Sequence, residues 1–152
     1  MSFSTTNGTR GARQPGGGFL PRLINRWAAR RARAGKTFFE GTRALVLTTV
    51  GRKSGTERST PVTYFAEQGG TWLIVASAAG AARNPAWYHN LAAHPDRVRI
   101  EFGGQTHDVV AEQLHGDERE RAWRRISGES KLFAGYQDKT DRELPVIRLS
   151  RR

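Results

Sequence analysis

The sequence predicts a small β-barrel of α+β character, and three observations carry that reading. Short β-rich runs recur from residue 43 onward, two of the connections between them are Gly-Gly turns, and helical stretches are interspersed among them. At 152 residues the chain fits one domain that can bury enough apolar surface to fold alone.

In chain order, residues 1–18 are Ser, Thr, Gly and Arg with a Gly16-Gly17-Gly18 run, which predicts a disordered basic arm. Over 19–36, Phe19, Leu20, Leu23, Ile24, Trp27 and Ala28 recur at helical spacing. Arg22, Arg26, Arg30 and Arg33 fall largely off that stripe, so the segment reads as a basic amphipathic helix ending near Gly35. Two explanations are open for it. The stripe docks on its own domain or on a dimer partner, or residues 19–34 lie on the anionic inner face of a membrane, as the Trp and the acid-free basic face suggest.

Residues 37–152 read as the folded domain. Ala44–Val50 is a β-rich apolar run, followed by the basic loop Gly51-Arg52-Lys53-Ser54-Gly55. Thr60–Phe65 and Trp72–Ser77 form a hairpin through Gly69-Gly70. Pro85 opens a helix through Leu91, and Pro95 ends it. Val98–Phe102 alternates, turns at Gly103-Gly104 and returns as Thr106–Leu114. Asp117-Glu118-Arg119-Glu120 predicts a capping box for a helix with Ala122, Trp123 and Ile126 inward. An irregular stretch holding Phe133 and Tyr136 follows, and Pro145–Leu149 reads as a last, edge strand.

The net charge is +11, of which residues 1–36 supply +8 with no acid, so the folded part is only mildly basic. Nucleic acid is not the expected partner, because the basic residues lie in one glycine-rich arm without the interleaved aromatics of a base-stacking platform. A mean hydropathy of −0.62 and the lack of an apolar N-terminal core predict a cytoplasmic protein. Cysteine is absent, which excludes disulfides and thiolate chemistry. His89, His94, His107 and His115 match no metal-ligand spacing, so no metal is expected. No G-x-S-x-G elbow or carboxylate pair supports a hydrolase.

Two segments can hold an anionic, planar ligand. The loop at 51–55, with Arg58 just beyond, offers turn amides, guanidinium and ammonium groups that can converge on phosphate oxygens; a solvated turn is the competing reading. Ala78-Ala79-Gly80-Ala81-Ala82 is sterically open, so a flat ring can lie against its backbone.

Taken together, Leu47–Gly55, Arg58–Pro61, Val75–Ser77, Asn84–Leu91, Tyr136-Gln137, Thr140–Arg142 and Pro145-Val146 resemble the deazaflavin-dependent nitroreductase family over about residues 44 to 149. The resemblance implies a split β-barrel of about six mostly antiparallel strands with flanking helices. It also implies coenzyme F420, a flavin-like tricycle with a lactyl-phosphate-oligoglutamate tail, passing hydride to a conjugated acceptor such as a quinone, enone or nitroaromatic. By position, Arg52, Lys53, Ser54, Gly55 and Arg58 would hold the tail. Thr48, Pro61, Ala76, Ser77 and Ala78 would line the deazaflavin. Trp87, Tyr88 and Asn90 would close the other side and brace the helix. Ser77 and Tyr136 would orient the acceptor in a pocket with Thr63, Ser130 and Phe133. An FMN-binding oxidoreductase of the wider split-barrel group, and a non-catalytic protein that binds a membrane surface or a cofactor, are the alternatives. A homodimer is compatible with all of them.

The sequence departs from that family at two places. Ala78-Ala79-Gly80 stands where the family often has Lys-Gly-Gly, which removes a cation that Arg83 would replace. Thr63, Ser130 and Phe133 stand where family nitroreductases carry tyrosines, so those members' acceptor preference is not carried over.

Overall fold

The computed structural model describes residues 3–13, 19–35 and 43–152, with only the backbone of 19–25. The Gly16-Gly17-Gly18 run, Lys36 and the side chains of Phe19, Leu20, Leu23 and Ile24 lie outside the described residues.

Helix α1 (Phe19–Arg33) precedes β1 (Arg43–Val50), β2 (Glu57–Ala66) and β3 (Trp72–Val75). Then come α2 (Ala86–Ala93), β4 (Val98–Phe102), β5 (Gln105–Gln113), α3 (Gly116–Glu129), α4 (Lys131–Asp138) and β6 (Val146–Arg151). The six strands close into a barrel in the order β1-β2-β3-β6-β5-β4, every pair antiparallel.

Strand alternation sorts the core. Leu45, Leu47, Ile74, Ile100, Val109, Ile147 and Leu149 fill one cluster, the barrel interior. Leu73, Val75 and Val146 point the other way and are covered by Ile126 of α3 and Phe133 of α4. Ala44 and Val46, on the opposite face of β1 from Leu45 and Leu47, are covered by Ala29 and Ala32 of α1. β1 and β3 are thus buried on both faces, which is why they read as continuous apolar runs.

Among the described side chains of α1, Ala29 and Ala32 pack on β1, whereas Trp27 of the expected apolar stripe is 58% exposed. Of the arm expected to be disordered, residues 3–13 are described and hydrogen-bond to the domain, while 1–2 and 14–18 lie outside the described residues. The Thr9 and Arg10 amides donate to Asp141 Oδ1, Gly8 N–H to Ala82 O, and Ala12 N–H to Gly80 O. Gly8 and Gly11 permit this approach. A Cβ on Gly11 would collide with the Ala81–Ala82 backbone, and one on Gly8 with Thr140 and Asp141.

Three further expectations change. The stretch around Phe133 is helix α4, capped by Ser130, whose hydroxyl accepts from Phe133 N–H at 3.3 Å. β6 lies between β3 and β5, because Pro145 stands before the strand and a closed barrel has no edge there. α3 starts at Gly116 after His115 without a side-chain cap; Asp117 and Glu118 occupy its first turn, where their charge favours the helix dipole.

Candidate functional site

The site arises where β2 parts from β3. β2 runs beside β1 from Tyr64 to Glu57, but pairs with β3 only through Phe65 and Ala66. Along the parted stretch stands Pro61, which has no N–H to offer a ladder. A cleft of about 390 Å³ opens there. Thr60, Pro61, Val62 and Thr63 form one wall, and Val75, Ser77, Ala78 and Ala79 another. Pro85, Ala86 and Trp87 at the start of α2 face Leu132, Phe133 and Tyr136 of α4.

The loop after β3 is wound unusually. Ser77 is right-handed helical, whereas Ala78, Ala79 and Gly80 have φ of 46°, 55° and 84°. Each left-handed alanine costs about 1 kcal/mol, so the surroundings must impose the turn. Arg142 imposes it from below. Only 1% exposed, its guanidinium donates to the carbonyls of Ala76 at 2.9 Å, Ser77 at 2.9 Å and Ala81 at 3.1 Å, and to Asn84 Oδ1. No carboxylate pairs with it among the described residues. Burial pulls Arg142 below the usual guanidinium range, and the nearby Tyr88 opposes that shift. With the carbonyls tied down, the right-to-left turn at Ser77-Ala78 directs successive amides toward one side, a concavity suited to a carbonyl or oxyanion.

The basic loop is held from α2. Gly51 N–H donates to Thr56 O and Gly55 N–H to Gly51 O, with Gly55 at φ 70°. The buried Asn90 accepts from Arg52 N–H at 3.0 Å and donates to Thr49 Oγ1 at 3.2 Å, clamping the loop to the barrel. Arg52, Lys53 and Ser54 remain exposed. Burial, and the charge of Arg52 beside it, push the His89 imidazole below its usual pKa.

Of the predicted residues, Pro61, Thr63, Ser77, Ala78, Trp87, Phe133 and Tyr136 share the cleft. The others do not line it, and besides Asn90 four of these are buried in the surrounding structure. Tyr88 neighbours Trp87 on α2 but turns into the core at 3% exposure, where its hydroxyl donates to Gln113 Oε1; burial raises its pKa. Ser130 is fully buried as the α4 cap. Ala76 lies under the floor, its N–H bonded to Pro145 O. Thr48 is buried against the Ser59 hydroxyl at 2.8 Å. Arg52, Lys53, Ser54 and Gly55 stand on the loop beyond the cleft. Arg58 lines a second groove, and Arg83 is exposed away from both. Sequence reasoning missed Arg142 as an organiser and Lys139, whose ammonium sits 5.7 Å from the Tyr136 ring centre.

The cleft presents apolar walls, hydroxyls from Thr60, Thr63, Ser77 and Tyr136, and neither imidazole nor carboxylate among its lining residues. Such a lining suits a flat, apolar ligand oriented by hydrogen bonds. Among the described residues no group of His, Cys, Asp or Glu could hold a metal ion, and no helix is long and apolar enough to cross a membrane.

Comparison with known proteins gives a consistent answer. A family model described as F420H(2)-dependent quinone reductase matches residues 22–150. An F420H(2)-dependent quinone reductase of Mycobacterium tuberculosis is 40% identical over 112 residues, covering 72% of this chain and 74% of the relative. Among solved structures, an F420-H2 dependent reductase is 36% identical with a TM-score of 0.63, over 70% of this chain and 93% of the other. A domain-swapped dimer is 31% identical with a TM-score of 0.64, over 86% and 93%.

Proposed function

Because the chain belongs to the F420H(2)-dependent quinone reductase family, we propose that its β2–β3 cleft holds the deazaflavin of F420 beside a quinone-type acceptor. The observation that carries this reading is the cleft at the parting of β2 and β3, floored by the loop that Arg142 holds.

The residues present fit the group. Pro61 and Trp87 offer apolar walls to a tricycle, the Ser77–Ala79 amides can take a ring carbonyl, and Arg52, Lys53, Ser54, Gly55 and Arg58 offer donors to an anionic tail. When bound and reduced, the coenzyme supplies a two-electron hydride donor. The protein orients and shields it: Thr48 and Ala76 support the walls from beneath, and Asn90 fixes the basic loop. Ser77 and Tyr136 hydrogen-bond the acceptor oxygens, and a quinone that takes hydride gains its proton from Tyr136 or from solvent. Enones and nitroaromatics are chemically related acceptors. Phe133 offers no phenol, so quinones lead.

Titrating F420 against the fluorescence of the four tryptophans tests the reading. Saturable quenching at lower concentration than FMN requires supports it; equal or tighter FMN binding defeats it. Turnover then follows as oxidation of reduced F420 by a soluble quinone.

Two further elements belong to this proposal. The domain-swapped relative supports a homodimer, which sedimentation of the full chain tests. The exposed indole of Trp27, with the Arg31 guanidinium 5.1 Å from its ring centre, supports a cytoplasmic protein touching the membrane's inner face. Co-sedimentation with anionic vesicles tests that contact.

A further inference from the structure

Beside the cleft lies a larger groove, about 740 Å³, between α1 and β2. Arg26, Arg30 and Arg33 of α1 line one side, and Glu57, Arg58 and Pro61 of β2 the other. Residues three and four apart share a helix face, so the three arginines form a row of about 10 Å along the axis. Ala29 and Ala32 set this row close to β2 by letting α1 lie directly on Ala44 and Val46.

Among the described residues the groove's charges are only partly paired. Arg33 is answered by Glu101 at 3.3 Å, and Glu57 by Arg99 at 3.0 Å. Arg26, Arg30 and Arg58 have no ion-pair partner among the described residues. Like charges at helical spacing repel one another, and among the described residues no ion pair offsets them. A solvated basic surface would show the same row, but it would not have to line a concavity. Pro61 lines both the groove and the cleft, so the two cavities adjoin at that residue of β2.

We infer that this groove binds the oligoglutamate tail of F420, with α1 laid over the tail as a cationic clamp. The inference rests on the F420 reading of the cleft and extends it to residues outside the Gly51–Gly55 loop. Arg58 stands on β2 just beyond Pro61, within the groove that adjoins the cleft, where it would meet an anionic substituent of a ring held in the cleft. Beyond Arg58 the cations of α1 are spread out rather than focused, which matches carboxylates spaced along a chain better than one phosphate. Each guanidinium fork can take a carboxylate through two parallel N–H···O bonds.

The test uses the full chain and two forms of the coenzyme, one ending at the lactyl phosphate and one carrying a long glutamate tail. Affinity is read by tryptophan fluorescence at low and high salt, and folding by circular dichroism. The wild type binds the long-tailed form more tightly, with an advantage that salt erodes. Arg26→Ala combined with Arg30→Ala weakens the long-tailed form by about tenfold and leaves the phosphate-terminated form unchanged. Lysine at both positions restores part of the loss. Equal affinity of the wild type for both forms overturns the clamp while leaving the cleft reading intact. Equal weakening of both forms by the double variant overturns it too. Failure of the wild type to bind either form defeats the cleft reading and the clamp together. If the double variant keeps the tail preference but loses phosphatidylglycerol vesicles, the arginines serve a lipid surface and the inference falls.

Discussion

Arg142 donates to the Ser77 carbonyl at 2.9 Å from within the protein, so the floor of the cleft is set by a charge that never reaches solvent. Arg142→Met should leave the carbonyls of Ala76, Ser77 and Ala81 and the Asn84 amide without that donor. The expected loss is about 3 to 5 kcal/mol, read as a lower urea midpoint. Arg142→Lys keeps the charge but has no fork, and should lose less.

Ala79 sits at φ 55° where glycine would rest without strain. Ala79→Gly should raise stability by about 0.5 to 1 kcal/mol, because relief of the left-handed turn exceeds the added freedom of the unfolded chain. Thermal unfolding measures it. A lowered midpoint would show that the turn is not strained.

Asn90 couples α2 to the basic loop through two hydrogen bonds. Asn90→Ala should weaken F420 binding by about tenfold while costing about 1 to 2 kcal/mol of stability. Titration and denaturation of the same sample separate the two effects.

Tyr136→Phe keeps the ring that packs on Phe133 and removes the phenol. Coenzyme affinity should hold while quinone turnover falls by about tenfold or more. Unchanged turnover would assign the proton to solvent.

Glu67 grips Arg148 by two bonds of 2.8 and 3.0 Å, and these hold its carboxyl below the usual carboxylate range despite partial burial. A carboxylate with a depressed folded pKa adds stability that is fully present above its unfolded pKa. That stability is lost as pH falls through the folded value. Glu67→Gln should therefore lower stability at neutral pH and flatten the acid limb, as urea midpoints measured between about pH 7 and pH 3 would show.

The barrel was legible because burial leaves a period in the chain. Val98–Phe102 alternates, β1 is apolar from Ala44 to Leu47 and β3 throughout, and glycine pairs mark two of the hairpins. α4 was not legible: it has eight residues, and its cap is a serine whose burial only the fold reveals. Trp87 and Tyr88 are adjacent and look equivalent, yet on a helix neighbours point about 100° apart, so one lines the cleft and the other enters the core. Arg142 was hidden for another reason. A charged residue is expected at the surface, and its partners are backbone carbonyls that no side-chain pattern announces.

The clasp between residues 3–13 and Asp141 bears on how the molecule is made. The Thr9 hydroxyl and amide, then the Arg10 amide, hold the Asp141 carboxyl down to about 2, across a sequence separation of up to 132 residues. During synthesis the Gly80 and Ala82 carbonyls that receive this segment emerge near mid-chain, but its Asp141 anchor emerges only when nearly the whole chain has been made. Among the described residues its hydrogen bonds to Asp141 span the greatest sequence separation, so completing the clasp is a non-local step that waits for the C-terminal part of the chain. An extension added at the N-terminus would be carried into that step, beside the turn that floors the cleft.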